Sequence, residues 1–346
     1  MTSSLVGSEM CIRDRHNLSL EELVLLIGND CYDKDLFEAA DRVRQKYVGD
    51  GVHLRGLIEF SNVCSRSCFY CGLRCENRNV NRYSLGADEI ISLAGRAKEL
   101  GYKTVVLQSG ESSVCSVDKM VYILREIKKF DLAITLSIGE KSYEEYKQFK
   151  NAGADRFLLR IETTDTAIYK ALHPDMDFSN RVKCLRNLKK LGYEVGTGCL
   201  IGLPSQTPLS LARDLLFFRE IGADMIGLGP FIPNPDTPLS LERGGTFEMA
   251  RKVMALVRLL MPDINIPATT AMETLSPDGR ILALQSGANV VMPNVTDFVH
   301  KKYYNLYPGK SGADVPAAFA KRALEEKIEK IGRFVSEDFG FRKKNI

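Results

Sequence analysis

Four of the nine cysteines in this chain lie between positions 64 and 75. Three of them, Cys64, Cys68 and Cys71, have the spacing CxxxCxxC within the run SNVCSRSCFYCGLRC. Three thiolates on one compact loop can ligate three irons of a 4Fe-4S cube and leave the fourth iron open to a small molecule. An open iron indicates chemistry on a bound molecule rather than simple electron transfer.

Two other interpretations of these cysteines stay open at this stage. A structural zinc site could take Cys75 as its fourth ligand, although the paired CxxC knuckle typical of such sites is missing. Disulfides are the weaker alternative, because the chain is long and the crowded spacing suits a metal better than bridges.

Polar residues also end two other β-rich runs. The run LQSGE ends in Ser109, Gly110 and Glu111, and LLRIET contains Arg160 and Glu162. Because side chains alternate along a strand, Arg160 and Glu162 are expected on one face. They could bind an ionic ligand or form a structural ion pair. Glu111 could bind an ammonium group or lie in a solvated glycine turn.

The elements that must position these residues alternate between β-rich runs and helical patterns, which predicts an α/β fold with a parallel sheet. Eight strands favour a single (β/α)8 TIM-type barrel. An open doubly wound sheet is the alternative, but the GxGxxG loop expected after its first strand is absent. The cysteine loop follows the first strand, at the end where barrels place their active sites. The predicted strands cover residues 52–60, 104–108, 132–138, 155–161, 193–201, 223–229, 264–270 and 289–293.

Three regions are predicted along the chain. Residues 1–15 lack periodicity and resemble a translated adaptor, so we predict a non-native or disordered leader and leave Cys11 out of functional reasoning. Residues 51–346 are predicted to form the barrel with C-terminal helices. Residues 16–50 are predicted to be a short N-terminal helical extension, with amphipathic stretches at 19–27 and 33–47.

Composition narrows the class of protein. Lys and Arg number 47 against 44 Asp and Glu, and the small excess is spread along the chain, so nucleic acid is not an expected partner. No apolar run approaches the roughly 20 residues of a membrane span, and no signal peptide opens the chain. We therefore expect a cytoplasmic protein that does not bind a membrane.

The triplet with an aromatic residue, Tyr70, before its last cysteine resembles the signature of the radical S-adenosylmethionine (SAM) superfamily. The resemblance implies one 4Fe-4S cluster on Cys64, Cys68 and Cys71, which would be both its ligands and the catalytic centre. It also implies that SAM binds the open iron. An electron passing through the cluster would then break a carbon–sulfur bond and give a 5′-deoxyadenosyl radical.

The resemblance also implies a set of SAM contacts. Ser109, Gly110 and Glu111 resemble a GGE motif that receives the SAM amino group. Arg160 would engage the SAM carboxylate and Glu162 a ribose hydroxyl. Taken alone, Arg181 has the character of a surface arginine, and MIGLGPFIP that of a tightly packed strand. The further cofactor contacts that the resemblance implies are Tyr70, Arg181, Met225, Ile226 and Gly227.

Hydroxyl and backbone groups at the ends of the last two strands, PATTAM and VMPN, are expected to line a substrate chamber. Arg55 lies inside the first strand, where a buried charge needs a partner, either an acidic substrate group or a structural salt bridge. The predicted substrate contacts are Arg55, Thr269, Thr270, Ala271 and Pro293.

Longer strings identify the chain as a member of the FeFe-hydrogenase maturase HydE family: IEFSNVC, YCGLR, LQSGE, GPFIPNPDTPL, PATTAM and YPGK. The resemblance runs from about residue 17 to the C-terminus. It implies radical chemistry on a small iron–cysteine precursor during assembly of the hydrogenase active-site cluster. It further implies a one-electron donor protein and other maturation proteins as partners; we expect a monomer.

Two features depart from that family pattern. No cysteine follows Cys199, so the second C-terminal cluster of some members is not expected. Glu273 stands where the pattern has glycine, which adds a charge near the expected chamber. Two alternatives remain: a radical SAM mutase like methylornithine synthase, and a non-catalytic carrier of an iron complex that never cleaves SAM.

Overall fold

Eight parallel strands form a ring in the computed structural model, which describes residues 16–310 and 316–343. Isolated bridges at Asn265 and Pro267 supply the seventh position and close the ring between β7 and β9. The predicted α/β barrel is therefore confirmed. Its strands are β1 (Gly51–Ser61), β2 (Thr104–Ser109), β3 (Ala133–Ser137), β4 (Arg156–Leu158), β5 (Glu194–Thr197), β7 (Met225–Ile226) and β9 (Val290–Val291).

Several strands are shorter than the apolar runs suggested. The predicted strand over 193–201 breaks after Thr197, because Gly198 has a φ of +155° and a Cβ there would lie 1.9 Å from the Gly227 carbonyl oxygen. The chain then forms a separate two-stranded sheet above the ring, made of β6 (Leu200–Ile201) and β8 (Gly229–Pro230). The backbones at Gly198 and Gly227 therefore lie in close contact at the open end of the barrel.

Helices surround the ring, and α2 packs against α9. Lys252 of α9 is almost fully buried and binds the Asp33 carboxylate at 3.0 Å, which ties the N-terminal helices to the barrel wall. The leader predicted for residues 1–15 lies outside the described residues. The helices are α1 (Leu20–Ile27), α2 (Asp33–Val48), α3 (Ala87–Glu99), α4 (Val117–Lys128), α5 (Tyr143–Asn151), α6 (Thr166–Leu172), α7 (Phe178–Lys190), α8 (Pro208–Glu220), α9 (Phe247–Leu260), α10 (Thr270–Leu275), α11 (Gly279–Leu284), α12 (Phe298–Lys301) and α13 (Ala317–Lys330), with a 3-10 turn at Asp30–Tyr32. In the described part of the chain, no helix is both long and apolar enough to cross a bilayer.

The C-terminal segment closes the N-terminal end of the barrel. It begins with β10 (Phe334–Val335), which pairs with the first residues of β1. Farther along, the Gly340 carbonyl accepts from Arg55 at 3.1 Å, and the Phe339 carbonyl accepts from Arg156 at 2.7 Å. Arg55 also donates to the Met225 sulfur at 3.0 Å. The buried Arg55 thus meets neither of the partners considered above, an acidic group or a salt bridge of its own, but carbonyl and sulfur acceptors at the closed end.

The ion pair beside this seal should contribute strongly to stability. Arg156 is buried and its Nε lies 2.7 Å from Glu194 Oε2. Glu194→Gln leaves the guanidinium buried without an anion, so we expect the free energy of unfolding to fall by about 3 kcal/mol in a urea titration of the apo-protein. Glu220→Gln is the matched control, because its pair with Arg186 is exposed at 3.9 Å and should contribute less than about 0.5 kcal/mol. Equal losses in the two variants would contradict this assignment.

Candidate active site

The cysteine loop begins where β1 ends, at the open end of the barrel. Cys64, Cys68 and Cys71 are all partly buried free thiols. Backbone N–H groups of the loop point at two sulfurs, since Arg66 N lies 3.4 Å from Cys64 Sγ and Leu73 N lies 3.4 Å from Cys71 Sγ. The loop therefore presents its thiols together with backbone donors that favour thiolate charge.

The electrostatics of the thiols fit a metal cluster. Burial raises the pKa of Cys64, Cys68 and Cys71, in the last case to about 12. The neighbouring thiols raise the pKa of Cys68 and Cys71 further, because thiolates in this loop would repel one another. Three thiolates can coexist here only beside a compensating positive charge, which the irons of a bound cluster would supply.

Cys75, considered above as a fourth zinc ligand, is more exposed than the other three cysteines of the loop. It is exposed, and its Sγ lies 3.0 Å from Ser67 Oγ. Across the described part of the chain, no three Cys, His, Asp or Glu side chains are grouped as ligands of one metal ion. A 4Fe-4S cube needs no such grouping, because each thiolate binds a different iron. All eight described cysteines are free thiols.

Ser109, Gly110 and Glu111 lie directly against the cysteine loop. A Cβ on Gly110 would come within 2.4 Å of the Val63 carbonyl oxygen and 2.8 Å of Cys64 Cβ, so glycine permits this contact. Both carboxylate oxygens of Glu111 have protein partners: Arg66 Nε lies 2.6 Å from one and the backbone N–H of Glu140 lies 2.9 Å from the other. Glu111 thus holds the cysteine loop to the end of the barrel.

Arg160 and Glu162 are brought together, with Arg160 Nη2 3.2 Å from Glu162 Oε2. Glu162 has a φ of +65°, an uncommon conformation for a residue with a side chain, and such strain collects at functional sites. Arg160 Nε is buried without a hydrogen-bond partner among the described residues, and Glu162 Oε2 makes no hydrogen bond there beyond its ion pair with Arg160. Burial raises the pKa of Glu162, while Arg160 and Arg181 oppose that shift. These atoms are poised to bind a polar ligand.

Arg181 is buried in α7 rather than exposed on the surface. Its Nε lies 2.7 Å from Glu140 Oε1 and its Nη1 donates to the Arg160 carbonyl at 2.6 Å. Because Glu140 also donates its N–H to Glu111, Arg181 connects the second and fourth strand ends. Arg181 therefore supports the backbone of Arg160.

The implied cofactor contacts of the MIGLGPFIP run are divided between the two ends of the barrel. Met225 begins β7 and its sulfur accepts from Arg55, at the closed end. Ile226 is buried, and the N–H of Gly227 donates to the Thr197 carbonyl at 2.8 Å, nearer the mouth. Met225 is therefore not brought to the cysteine loop.

The last two strands bring hydroxyl groups to the mouth. Thr269 Oγ1 is buried without a hydrogen-bond partner in the described residues, whereas Thr270 Oγ1 accepts from Arg280 at 2.9 Å. Ala271 is buried at the start of α10, and the Pro293 carbonyl accepts from the backbone of β1. Glu273 accepts from the Arg280 N–H at 2.9 Å, so its charge is held by a local contact.

Three further polar residues around this mouth, Glu59, Tyr307 and Lys310, were not predicted from the sequence. Glu59 is buried in β1, where Asn294 donates to its Oε2 at 2.6 Å and Lys310 binds its Oε1. Burial raises the pKa of Tyr307 to about 12, and Arg280, Glu59 and Arg160 all act on it electrostatically. A charged residue inside the apolar run IEF was the available signal for Glu59. The YPGK string contained Tyr307 and Lys310 but gave them no role.

A buried histidine supports the second half of the cysteine loop. His173 Nε2 lies 2.9 Å from the Tyr70 hydroxyl, and Nδ1 lies 2.8 Å from the Tyr169 carbonyl oxygen. Tyr70, predicted to contact the cofactor, thus has its hydroxyl bound to His173.

Acid should weaken this support. Burial lowers the pKa of His173 from 6.5 to about 4, so the unfolded chain binds the additional proton between these values and stability falls as pH falls through that window. We expect the wild type to lose up to about 3 kcal/mol of stability through His173 between pH 6.5 and 4, and we expect His173→Gln to lack this loss. Urea titrations of apo-protein at several pH values measure this. Parallel stability-versus-pH profiles of the wild type and the variant would contradict this prediction. Burial also lowers the pKa of His53 to about 4, so His53 still titrates in both proteins.

The residues present fit a 4Fe-4S cluster with bound SAM. Three thiols would hold the cluster at the barrel mouth, and the same end carries buried polar atoms of Arg160, Glu162 and Thr269 that make no hydrogen bond among the described residues beyond the Arg160–Glu162 ion pair. The guanidinium of Arg160 suits a carboxylate, and the carboxylate of Glu162 can accept from a hydroxyl group. These residues would therefore supply both iron ligands and polar contacts to a molecule bound to the iron.

Comparison with known proteins assigns the family. A model of the radical SAM superfamily matches residues 58–217. The chain is 48% identical over 320 residues to the FeFe hydrogenase maturase subunit HydE of Thermotoga maritima, covering 92% of each chain. It is 31% identical over 264 residues to the 3-methylornithine synthase of Methanosarcina barkeri, covering 74% of this chain and 73% of that one.

Solved structures agree on the fold. A methylornithine synthase superposes with a TM-score of 0.82 at 26% identity, covering 95% of this chain and 97% of the other. The hydrogenase maturase HydG superposes with a TM-score of 0.83 at 18% identity, covering 98% of this chain and 77% of that one, which shows a shared fold alone. The chain therefore belongs to the radical SAM superfamily and, within it, to the HydE family of radical SAM enzymes.

Proposed function

We propose that this chain cleaves SAM reductively and directs the radical to a small iron–cysteine precursor during assembly of the FeFe-hydrogenase active-site cluster. The observation that carries the proposal is the presence, at one end of the barrel, of the three thiols and of buried polar atoms of Arg160, Glu162 and Thr269 that make no hydrogen bond among the described residues beyond the Arg160–Glu162 ion pair. The substrate assignment rests on the 48% identity to HydE of Thermotoga maritima.

The bound cluster would supply one electron to SAM, breaking a carbon–sulfur bond to give methionine and a 5′-deoxyadenosyl radical. The chain's own residues would bind and orient SAM and the substrate. Arg160 would hold the SAM carboxylate and Glu162 a ribose hydroxyl, while Thr269 would contact the substrate. The C-terminal seal at Arg55 and Arg156 would keep water from the opposite end of the barrel.

We further propose one cluster per chain, reduced by a one-electron donor protein in the cytoplasm, and a monomer that meets other maturation proteins only in passing. The absence of cysteine after Cys199 supports a single cluster. The free state of the described thiols supports a reducing compartment.

The test is anaerobic iron–sulfur reconstitution followed by dithionite reduction with SAM, with chromatography of 5′-deoxyadenosine and methionine. We expect both products, and faster turnover with the iron–cysteine complex than with lysine. Turnover of lysine instead would assign the mutase activity suggested by the similarity to methylornithine synthase. A cluster that forms while SAM stays intact would overturn the proposal in favour of an iron-complex carrier.

A further inference from the structure

The cysteine loop is part of a longer excursion, residues 62–83, that leaves β1 and returns to it. Ser61 and Ser84 form an antiparallel bridge at its base. Beside that bridge, the Tyr83 N–H donates to the Asn62 side-chain oxygen at 2.8 Å, and the Asn62 amide donates to the Asn81 carbonyl at 2.8 Å. The base of the excursion is thus closed by hydrogen bonds within the protein.

One side chain, Arg82, joins the base of this excursion to the turn after the last cysteine. Its Nη1 donates to the carbonyls of Asn62 at 2.7 Å and Leu73 at 2.8 Å. Its Nη2 donates to the carbonyls of Arg74 at 2.7 Å and Asn77 at 3.2 Å. A planar guanidinium can satisfy four carbonyls at once, which a lysine ammonium with three donors cannot do.

The carbonyls that Arg82 binds lie on both sides of the three thiols. Asn62 precedes Cys64 by two residues, and Leu73 follows Cys71 by two. Fixing these two points sets where the loop begins and ends, and so limits the spread of the sulfurs between them. Among the described residues, Arg82 forms no ion pair with a carboxylate, so its positive charge acts on the loop without a neutralising partner.

We propose that Arg82 is a positioning residue that fixes the cysteine loop in its cluster-binding shape before iron arrives and places an uncompensated positive charge beside it. The proposal rests on the proposed function only in taking the loop as the cluster site. Two consequences differ in origin. The hydrogen bonds protect the thiols of the apo-protein by holding the loop closed, and the charge favours the more negative, reduced state of the cluster.

The first experiment uses apo-protein and needs no cluster. Alkylation rates of Cys64, Cys68 and Cys71 are measured by mass spectrometry, with exposed Cys75 as the internal reference. We expect Arg82→Gln to raise the three rates about ten-fold, because several hydrogen bonds that close the loop are lost. Arg78→Gln is the matched control: Arg78 is an exposed arginine of the same excursion with no side-chain hydrogen bond or ion pair in the described residues. Wild-type rates in Arg82→Gln would overturn the positioning role.

The second experiment uses the reconstituted full chain. Iron and sulfide are assayed per chain, and the midpoint potential is followed by electron paramagnetic resonance. We expect Arg82→Gln to lose iron on gel filtration and to shift the potential downward, with Arg78→Gln near wild type in iron content. Full iron content and an unchanged potential would overturn the proposal.

Arg82→Lys separates the two consequences and serves if Arg82→Gln does not fold, as judged by circular dichroism. It keeps the charge but cannot bind four carbonyls. We expect fast alkylation with a potential near wild type. Wild-type behaviour in both assays would overturn the guanidinium geometry as the cause. Neither assay requires SAM cleavage or the iron–cysteine substrate, so a failure of the proposed function would show separately.

Discussion

Replacing Cys64, Cys68 or Cys71 by Ala is expected to abolish SAM cleavage. Each thiol would supply one of three iron ligands, and the loss of one would leave a second iron without a protein ligand. We expect activity to fall by more than the roughly 10- to 100-fold typical when only an outer partner of a metal ligand is removed. Release of 5′-deoxyadenosine from reconstituted protein with dithionite and SAM measures it.

Cys75→Ala is the matched control, because it removes a thiol from the same loop. Cys75 is exposed and its sulfur contacts Ser67. We expect near-wild-type iron content and SAM cleavage in this variant. A large loss in Cys75→Ala, or normal turnover in a variant of the triplet, would contradict the assignment of the cluster ligands.

Glu162→Gln is expected to weaken SAM binding by about 10- to 100-fold, the range for a hydrogen bond to a charged group. The backbone of Glu162 is in the left-handed conformation. Its Oε2 makes no hydrogen bond among the described residues beyond the ion pair with Arg160. Loss of its charge also leaves Arg160 without its ion-pair partner. Equilibrium dialysis of SAM against the reconstituted protein measures the dissociation constant directly.

The control for that variant is Glu144→Gln, which makes the same change in charge at an exposed helix position. Glu144 lies 4.0 Å from Lys147, and both side chains are more than half exposed. It should leave SAM affinity unchanged. An equal affinity for SAM in Glu162→Gln and Glu144→Gln would remove Glu162 from the site.

The cysteine spacing illustrates what could be predicted without coordinates. CxxxCxxC is a local feature, and so is its position after an apolar β-rich run, so the loop and the strand before it followed from the sequence. The (β/α)8 fold followed from a repeated pattern of runs and helices. Strand lengths were overestimated at β5 and β7, because a close contact between Gly198 and Gly227 ends both strands early.

Charged residues show what could not be predicted. Arg55 and Arg181 are single arginines in the sequence, and their surroundings come from distant segments. Arg55 meets Gly340 at the closed end, and Arg181 meets Glu140 in the loop after β3. Nothing local distinguishes such residues from a ligand-binding or a surface arginine, because the partner decides the role.

The sequence by itself determined the family, the barrel and the three thiols, because each depends on residues near one another in the chain or on a regular repeat. The tertiary structure alone decided that Glu111 binds Arg66, that Arg82 spans the cysteine loop, and that the C-terminal segment seals the barrel. These contacts join residues 5 to 285 positions apart. Charge and hydrogen bonding act through space, so only the folded chain fixes which groups they connect.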